Sequence, residues 1–309
     1  MPTLALSVAY NGAPFCGYAK QPDQATVQGE IEDALAIVFK RKIDTVCAGR
    51  TDAGVHALGQ VVSFEVSQEE LNQKTNASLL RSLNALTSDD VTVSAVTVCN
   101  DGFSARFDAV LREYRYFLVV GKTPPIFMKD KSWYVADDLD IAAMYEASRC
   151  LIGEHDFKSF CMAASSVDKT TMRNISEISF SEEKMFGEEV VVIKVCGNAF
   201  LHSMVRTIVG TLVMVGRHKR EISWVKEALD ALNRSAAGEC APAAGLFLWK
   251  VTYEHELFDK PADISEKPRM SIPSTFQLMY TGAGGKLCFF KDAEGHITAI
   301  RSDRLYPHE

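Results

Sequence analysis

Cys47-Ala48-Gly49-Arg50-Thr51-Asp52-Ala53-Gly54-Val55-His56-Ala57 crowds small and polar residues between two apolar runs, Asp44 to Ala48 and Gln60 to Val66, that read as short strands. A loop of this composition displays its side chains. Gly49 and Gly54 permit backbone angles denied to other residues, and Asp52 lies between them beside Thr51 and Arg50. On spacing alone, a turn in which the Asp52 carboxylate bonds its own backbone is favoured.

Working outward, Leu4, Leu6, Val8 and Tyr10 alternate as in an opening strand, followed by an irregular loop from Asn11 to Gln24. Thr26 caps a helix whose apolar residues Val27, Ile31, Ala34, Leu35 and Val38 recur at helical spacing. A second helix, Glu69 to Leu86, and a strand, Val91 to Val98, complete a first half. The pattern then starts again: a strand Tyr114 to Val120, a helix Ile141 to Ile152, and a hairpin of Ile175 to Phe180 with Val190 to Cys196 across Ser181 to Glu189. Helices at Ala199 to Val215 and Ile222 to Asn233 and a strand Leu246 to Tyr253 follow. Hairpins among many strands fit an α+β fold of two similar halves, with a mixed or antiparallel sheet flanked by helices, better than strict βαβ winding. The halves are residues 1–104 and 105–257. Beyond them, 258–309 shifts to Pro, Ser and charge, and ends in a small hairpin of Lys286 to Phe290 with His296 to Arg301.

At 309 residues, 47% hydrophobic and 24% charged, the chain is long enough for about two domains and excludes disorder, collagen and coiled coil. No basic stretch precedes the apolar run of Met1 to Tyr10, so a cytoplasmic protein is expected. The longest apolar run, Phe200 to Gly216, is interrupted by His202 and Arg206 and is a buried helix rather than a membrane span. Eight cysteines form no Cys-x-x-Cys pair, which points to reduced thiols and away from structural zinc. The net charge of −7 argues against a polybasic nucleic-acid binder, yet two basic islands stand out: Lys40, Arg41, Lys42 and Arg50, and Arg206, Arg217, Lys219 and Arg220.

The string Gly49-Arg50-Thr51-Asp52-Ala53-Gly54-Val55-His56-Ala57, with Gly59-Gln60-Val61, resembles the signature of the tRNA pseudouridine synthase A family. The similarity runs from Tyr10-Asn11-Gly12 through Phe103-Ser104-Ala105-Arg106-Phe107, Arg112-Glu113-Tyr114-Arg115-Tyr116, Leu151-Ile152-Gly153-Glu154-His155-Asp156-Phe157 and Asn198-Ala199-Phe200-Leu201-His202 to Gly245-Leu246-Phe247-Leu248, covering the chain to about Leu257. The resemblance implies the pseudouridine synthase fold with a catalytic cleft between its halves. It also implies isomerisation of uridine to pseudouridine in the anticodon arm of tRNA, at tRNA positions 38 to 40, without cofactor or metal, by a homodimer. In that match Asp52 is the catalytic nucleophile, Tyr114 stacks on the target base, and Arg206 pairs with Asp52.

These roles agree with elementary chemistry. The reaction breaks the bond from ribose to N1 of uracil and forms one to C5, so a carboxylate suffices, adding to the ribose carbon or the base, or removing a ribose proton. Burial alone neutralises a carboxylate, and an arginine at pairing distance opposes that shift by about 1 to 3 pKa units. His202, Arg206 and Gly210 recur every four residues, so one helix face carries them, and Gly210 lets another backbone approach. On the strand from Tyr114, residues two apart face the same way, putting Tyr114 with Tyr116 and opposite Arg115 and Phe117. An aromatic surface replaces the stack that an extruded base has lost. The basic islands, Arg50 among them, suit RNA phosphates. The chain departs from the family at Gly17-Tyr18-Ala19-Lys20-Gln21, where Gln-Arg-Gln is usual after the aromatic, and at Ser203, where His is common. An RNA-binding protein without activity has no use for a paired carboxylate. An aspartic-protease-like hydrolase needs a second Asp motif, and none is present.

Overall fold

The computed structural model describes residues 1–162, 170–258, 277–281, 287–291 and 297–301. Two compact units divide the chain, Met1–Phe258 and Asp259–Glu309.

The first unit opens with β1 (Thr3–Tyr10), whose Leu4, Leu6 and Val8 are buried. In α1 (Val27–Phe39) the Thr26 side chain accepts the Gly29 amide, and Lys40, at φ 55°, ends the helix in a left-handed turn. The short β2 (Val46–Cys47) pairs with β3 (His56–Glu65). The single helix expected over Glu69 to Leu86 is two, α2 (Gln68–Asn72) and α3 (Asn76–Leu86). Thr75 and Ser78 form a reciprocal capping box that starts α3 afresh, a signal that the apolar spacing hides. β4 (Val91–Cys99) follows.

β5 (Ala109–Val120), β6 (Trp133–Val135), α4 (Ile141–Ser148) and β7 (Gly153–Asp156) come next. The helix expected to reach Ile152 stops at Ser148 and tightens into one 3-10 turn, Arg149–Leu151. β8 (Met172–Met185) and β9 (Glu188–Gly197) make a longer hairpin than expected, because the stretch read as a connection continues as ladder. The turn is Phe186 and Gly187 alone, both at positive φ, and Lys184 pairs with Glu189 just inside it. α5 (Met204–Gly216), α6 (Ser223–Asp230) and β10 (Leu246–Tyr253) complete the unit.

One ten-stranded mixed sheet runs β4-β1-β3-β10-β5-β9-β8-β7, with β2 on β3 and β6 on β5. The last strand of the unit, β10, is thus inserted between β3 and β5. β10 pairs with β5 antiparallel and with β3 parallel, through Phe247 with His56 and Leu248 with Ala57. That pairing extends β3 back to His56, four residues before the expected start. The buried apolar residues of α1, α3, α4, α5 and α6 join one large cluster with Leu6, Phe64, Tyr116, Ile193 and Leu248, and the partly buried Leu71 of α2 packs against it. A smaller cluster of Phe117, Val119, Met128, Val190 and Val192 holds strand and loop residues only. No helix among the described residues is long and apolar enough to cross a membrane.

In the second unit, β11 (Gln277–Thr281), β12 (Leu287–Lys291) and β13 (Ile297–Arg301) form a three-stranded antiparallel sheet. The expected terminal hairpin is its β12 and β13 pair, joined by β11.

Candidate active site

The loop between β2 and β3 is fixed from several sides. Ala48 N–H donates to Val61 O at 2.8 Å, and the Gln60 amide both donates to Gly49 O at 2.6 Å and accepts Gly49 N–H at 3.3 Å. Tyr18 N–H donates to Thr51 O at 3.0 Å, and the Thr51 and Tyr10 hydroxyls bond at 2.8 Å. Arg112 spans to the loop from β5: its buried guanidinium donates to the carbonyls of Ala48, Arg106, Ala109 and Asn198. Gly54, at φ +76°, takes the turn that an L side chain resists. Gly49 has no such angle. A Cβ there would sit 3.5 Å from the Tyr114 hydroxyl, an ordinary contact.

Held this way, the Asp52 carboxylate turns away from its own backbone. Oδ2 accepts the Ser203 hydroxyl at 2.7 Å and Arg206 Nη1–H at 3.1 Å, and Oδ1 lies 3.3 Å from His202 Nε2. The Asp52 side chain is 17% exposed and that of Arg206 18%. The local turn favoured on spacing alone is therefore not formed; the carboxylate is used 154 residues away.

Arg206 is itself gripped by the segment preceding β10. Its Nε–H donates to Ala241 O at 2.7 Å, and Ala241 N–H returns a bond to Arg206 O at 3.1 Å. The segment passes so close to α5 that a Cβ on Gly210 would lie 1.9 Å from Glu239 O, which is the close backbone approach expected at that glycine. His202 corrects the single-face expectation. α5 begins at Met204, and Ser203 stands before it in the left-handed region, so His202 reaches Asp52 from the lead-in loop and not from the helix.

Tyr114 is buried, edge-on to Phe200 at 5.0 Å between centroids, with its hydroxyl over Gly49. Burial, with Tyr10 and the Asp52 charge adding to it, pushes the phenol above its ordinary range. Tyr116 is wholly committed to structure, its hydroxyl on Pro242 O at 2.8 Å and its ring against Gly245. Arg50 is exposed beside Asp52. Burial raises the Cys47 thiol to about 11, against the opposing pull of Arg50 and Arg106, so both guanidiniums lie within its field. Among the other basic candidates, Lys42 pairs with Asp44, Arg217 with Asp137, and Lys20 reaches Glu32 and Asp33, while Arg220 lies over Trp224. No group of three or more His, Cys, Asp or Glu among the described residues could hold a metal ion.

Sequence reasoning did not assign Ser203, Gln60 or Arg112. The last carried a signal: an arginine two residues before Tyr114 shares its strand face and, if that face is buried, has to satisfy its donors internally.

The site is thus a carboxylate held by an arginine and a hydroxyl, beside a buried tyrosine. The family model for tRNA pseudouridine synthase matches residues 6–108 and 147–254. The tRNA pseudouridine synthase A of Bacillus velezensis is 41% identical over 251 residues, covering 81% of this chain and 98% of its own. That of Bacillus subtilis is 40% identical over 254 residues, covering 82% and 99%, and that of a Thermotoga species 41% over 253, covering 82% and 100%. This chain belongs to the tRNA pseudouridine synthase family, a family of isomerases with an α+β fold.

Proposed function

We propose that the protein isomerises uridine to pseudouridine in the anticodon stem-loop of tRNA, with Asp52 as the nucleophile. The observation that carries this reading is the Asp52–Arg206 contact at 3.1 Å, placed at the family's signature loop. The carboxylate has to act as an anion, and the Ser203 hydroxyl and the Arg206 guanidinium both donate to its Oδ2. The N1 bond to ribose breaks, the base turns, and the bond to C5 forms. C5 loses its proton to solvent and N1 gains one, so nothing is oxidised.

Tyr114 borders the Asp52 loop through Gly49 and offers a ring against which an extruded base stacks, at about 1 to 3 kcal/mol. Arg50, exposed at the loop, contacts the RNA backbone. The N-terminal half supplies the carboxylate and the C-terminal half its partner. The protein works in the cytoplasm as a homodimer, whose second copy doubles the phosphate-binding surface. Tritium release from unmodified tRNA transcripts labelled at uridine C5 tests the reading: release with turnover is expected, and tRNA binding without release contradicts it.

A further inference from the structure

Ser203 stands out among residues near Asp52 because its geometry is costly and its hydroxyl is not used where it would serve the helix. It occupies the N-cap position of α5, where serine ordinarily accepts a backbone amide of the first turn, yet its side chain makes no capping bond. Its φ of 58° and ψ of 13° are left-handed, a region that serine enters at a cost and that glycine and asparagine enter readily. The hydroxyl instead donates to Asp52 Oδ2 at 2.7 Å, closer than Arg206 at 3.1 Å or His202 at 3.3 Å. The residue is buried, so solvent does not replace this donor.

Three side chains surround Asp52, and they are not equivalent. Arg206 is anchored through Ala241 and supplies charge; His202 is half exposed and 3.3 Å from Oδ1. Ser203 shares Oδ2 with Arg206, and two donors converging from different directions on one oxygen fix the rotation of the carboxylate where one leaves it free to swivel.

We infer that Ser203 is a positioning residue for the reaction: its hydroxyl, presented by a left-handed backbone, holds the Asp52 carboxylate in the orientation from which it attacks. This rests on the reading of Asp52 as the nucleophile. Ser203 acts through Asp52 and does not touch the nucleotide. A hydrogen bond to a charged group has the strength to make its loss cost about ten- to a hundredfold in kcat, with the KM for tRNA little changed.

Three variants and the wild type, assayed for tritium release from C5-labelled tRNA and for thermal unfolding, provide the test. Ser203→Ala removes the hydroxyl and keeps the backbone cost. Ser203→Gly removes the hydroxyl and relieves that cost, so it should be the more stable of the two. Ser203→Asn keeps an N–H donor in a residue suited to the left-handed region. The expected result is a kcat lowered about ten- to a hundredfold in both the alanine and glycine variants, KM within about twofold of wild type, and recovery of most of kcat in the asparagine variant. A glycine variant at wild-type kcat would overturn the inference, since the role would then lie in the backbone, and so would a loss confined to KM. If the wild type itself released no tritium, the proposed function would fail and this inference with it. An active wild type matched by the alanine variant would sink the inference alone.

Discussion

The Arg206 guanidinium has two appointments: Nη1 lies 3.1 Å from Asp52 Oδ2 while Nε donates at 2.7 Å to Ala241 O. The second contact aims the first. Methionine at 206 keeps the apolar stem and removes both. Arg206→Met should lower kcat by at least a hundredfold, while the loss of a partly exposed pair costs about 2 kcal/mol of stability. Single-turnover kinetics beside denaturant unfolding measure the two. Equal, small effects on both would leave Arg206 a purely structural strut.

Gly210 is the point at which that aim is most easily disturbed. With Glu239 O only 1.9 Å from the place a Cβ would occupy, Gly210→Ala has to push the 238–241 segment off α5 and carry Ala241 with it. The expected cost is about 1 to 3 kcal/mol in urea unfolding, together with a drop in kcat that Gly187→Ala, in the open β8–β9 turn, does not share. Unchanged turnover in Gly210→Ala would detach the segment from the chemistry.

Acid stability should depend in part on Glu70, far from the site. Its carboxylate is held down at about 2, first by the Arg41 side chain, bonded at 2.6 and 2.9 Å, and also by Ser67. A carboxylate whose folded value lies below its unfolded 4.5 stabilises the fold above that pH and loses the contribution as pH falls toward 2. Glu70→Gln should therefore lower Tm at pH 7, and the gap should narrow as pH drops to 3. A gap independent of pH would contradict the assignment to this ion pair. Because Arg41 is 44% exposed, added salt should shrink the gap as well.

Binding of tRNA should weaken steeply with salt, and Arg50→Ala should reduce the slope of log K against log salt by about one, the value for one phosphate contact. Arg217→Ala should leave the slope unchanged, since Asp137 and the Trp133 ring already occupy that guanidinium. Fluorescence titrations across a salt series separate the two.

The Asp52–Arg206 contact was legible only through the resemblance of the signature string, since spacing alone favoured a local turn at Asp52. An arginine in an apolar helix announces that it needs a partner, not which one. Gly210 was legible from its place on that helix, where a missing side chain admits a second backbone. What stayed hidden depends on contacts between distant segments. The early start of β3 is set by Phe247 and Leu248 of β10, which no local alternation in His56-Ala57-Leu58 announces. The late start of α5 is set at Ser203, whose hydroxyl serves Asp52 rather than the helix, so apolar spacing from Ala199 onward overran the true boundary. The break between α2 and α3 was local, in Thr75 and Ser78, and was overlooked because apolar periodicity continued through it. The polar ends of β8 and β9 read as loop because Glu182, Glu183 and Lys184 show no apolar alternation, although all three pair across the ladder with Val191, Val190 and Glu189.

The most direct measurement is tritium release from C5-labelled uridine in tRNA by Asp52→Asn and Asp52→Ala, beside tRNA affinity at fixed salt. Asparagine keeps the shape of the side chain and its contacts with Ser203 but lacks the negative oxygen that forms the bond. The account predicts that release is abolished in both variants while tRNA still binds with nearly wild-type affinity. Appreciable turnover by the asparagine variant would show that the chemistry belongs to another residue.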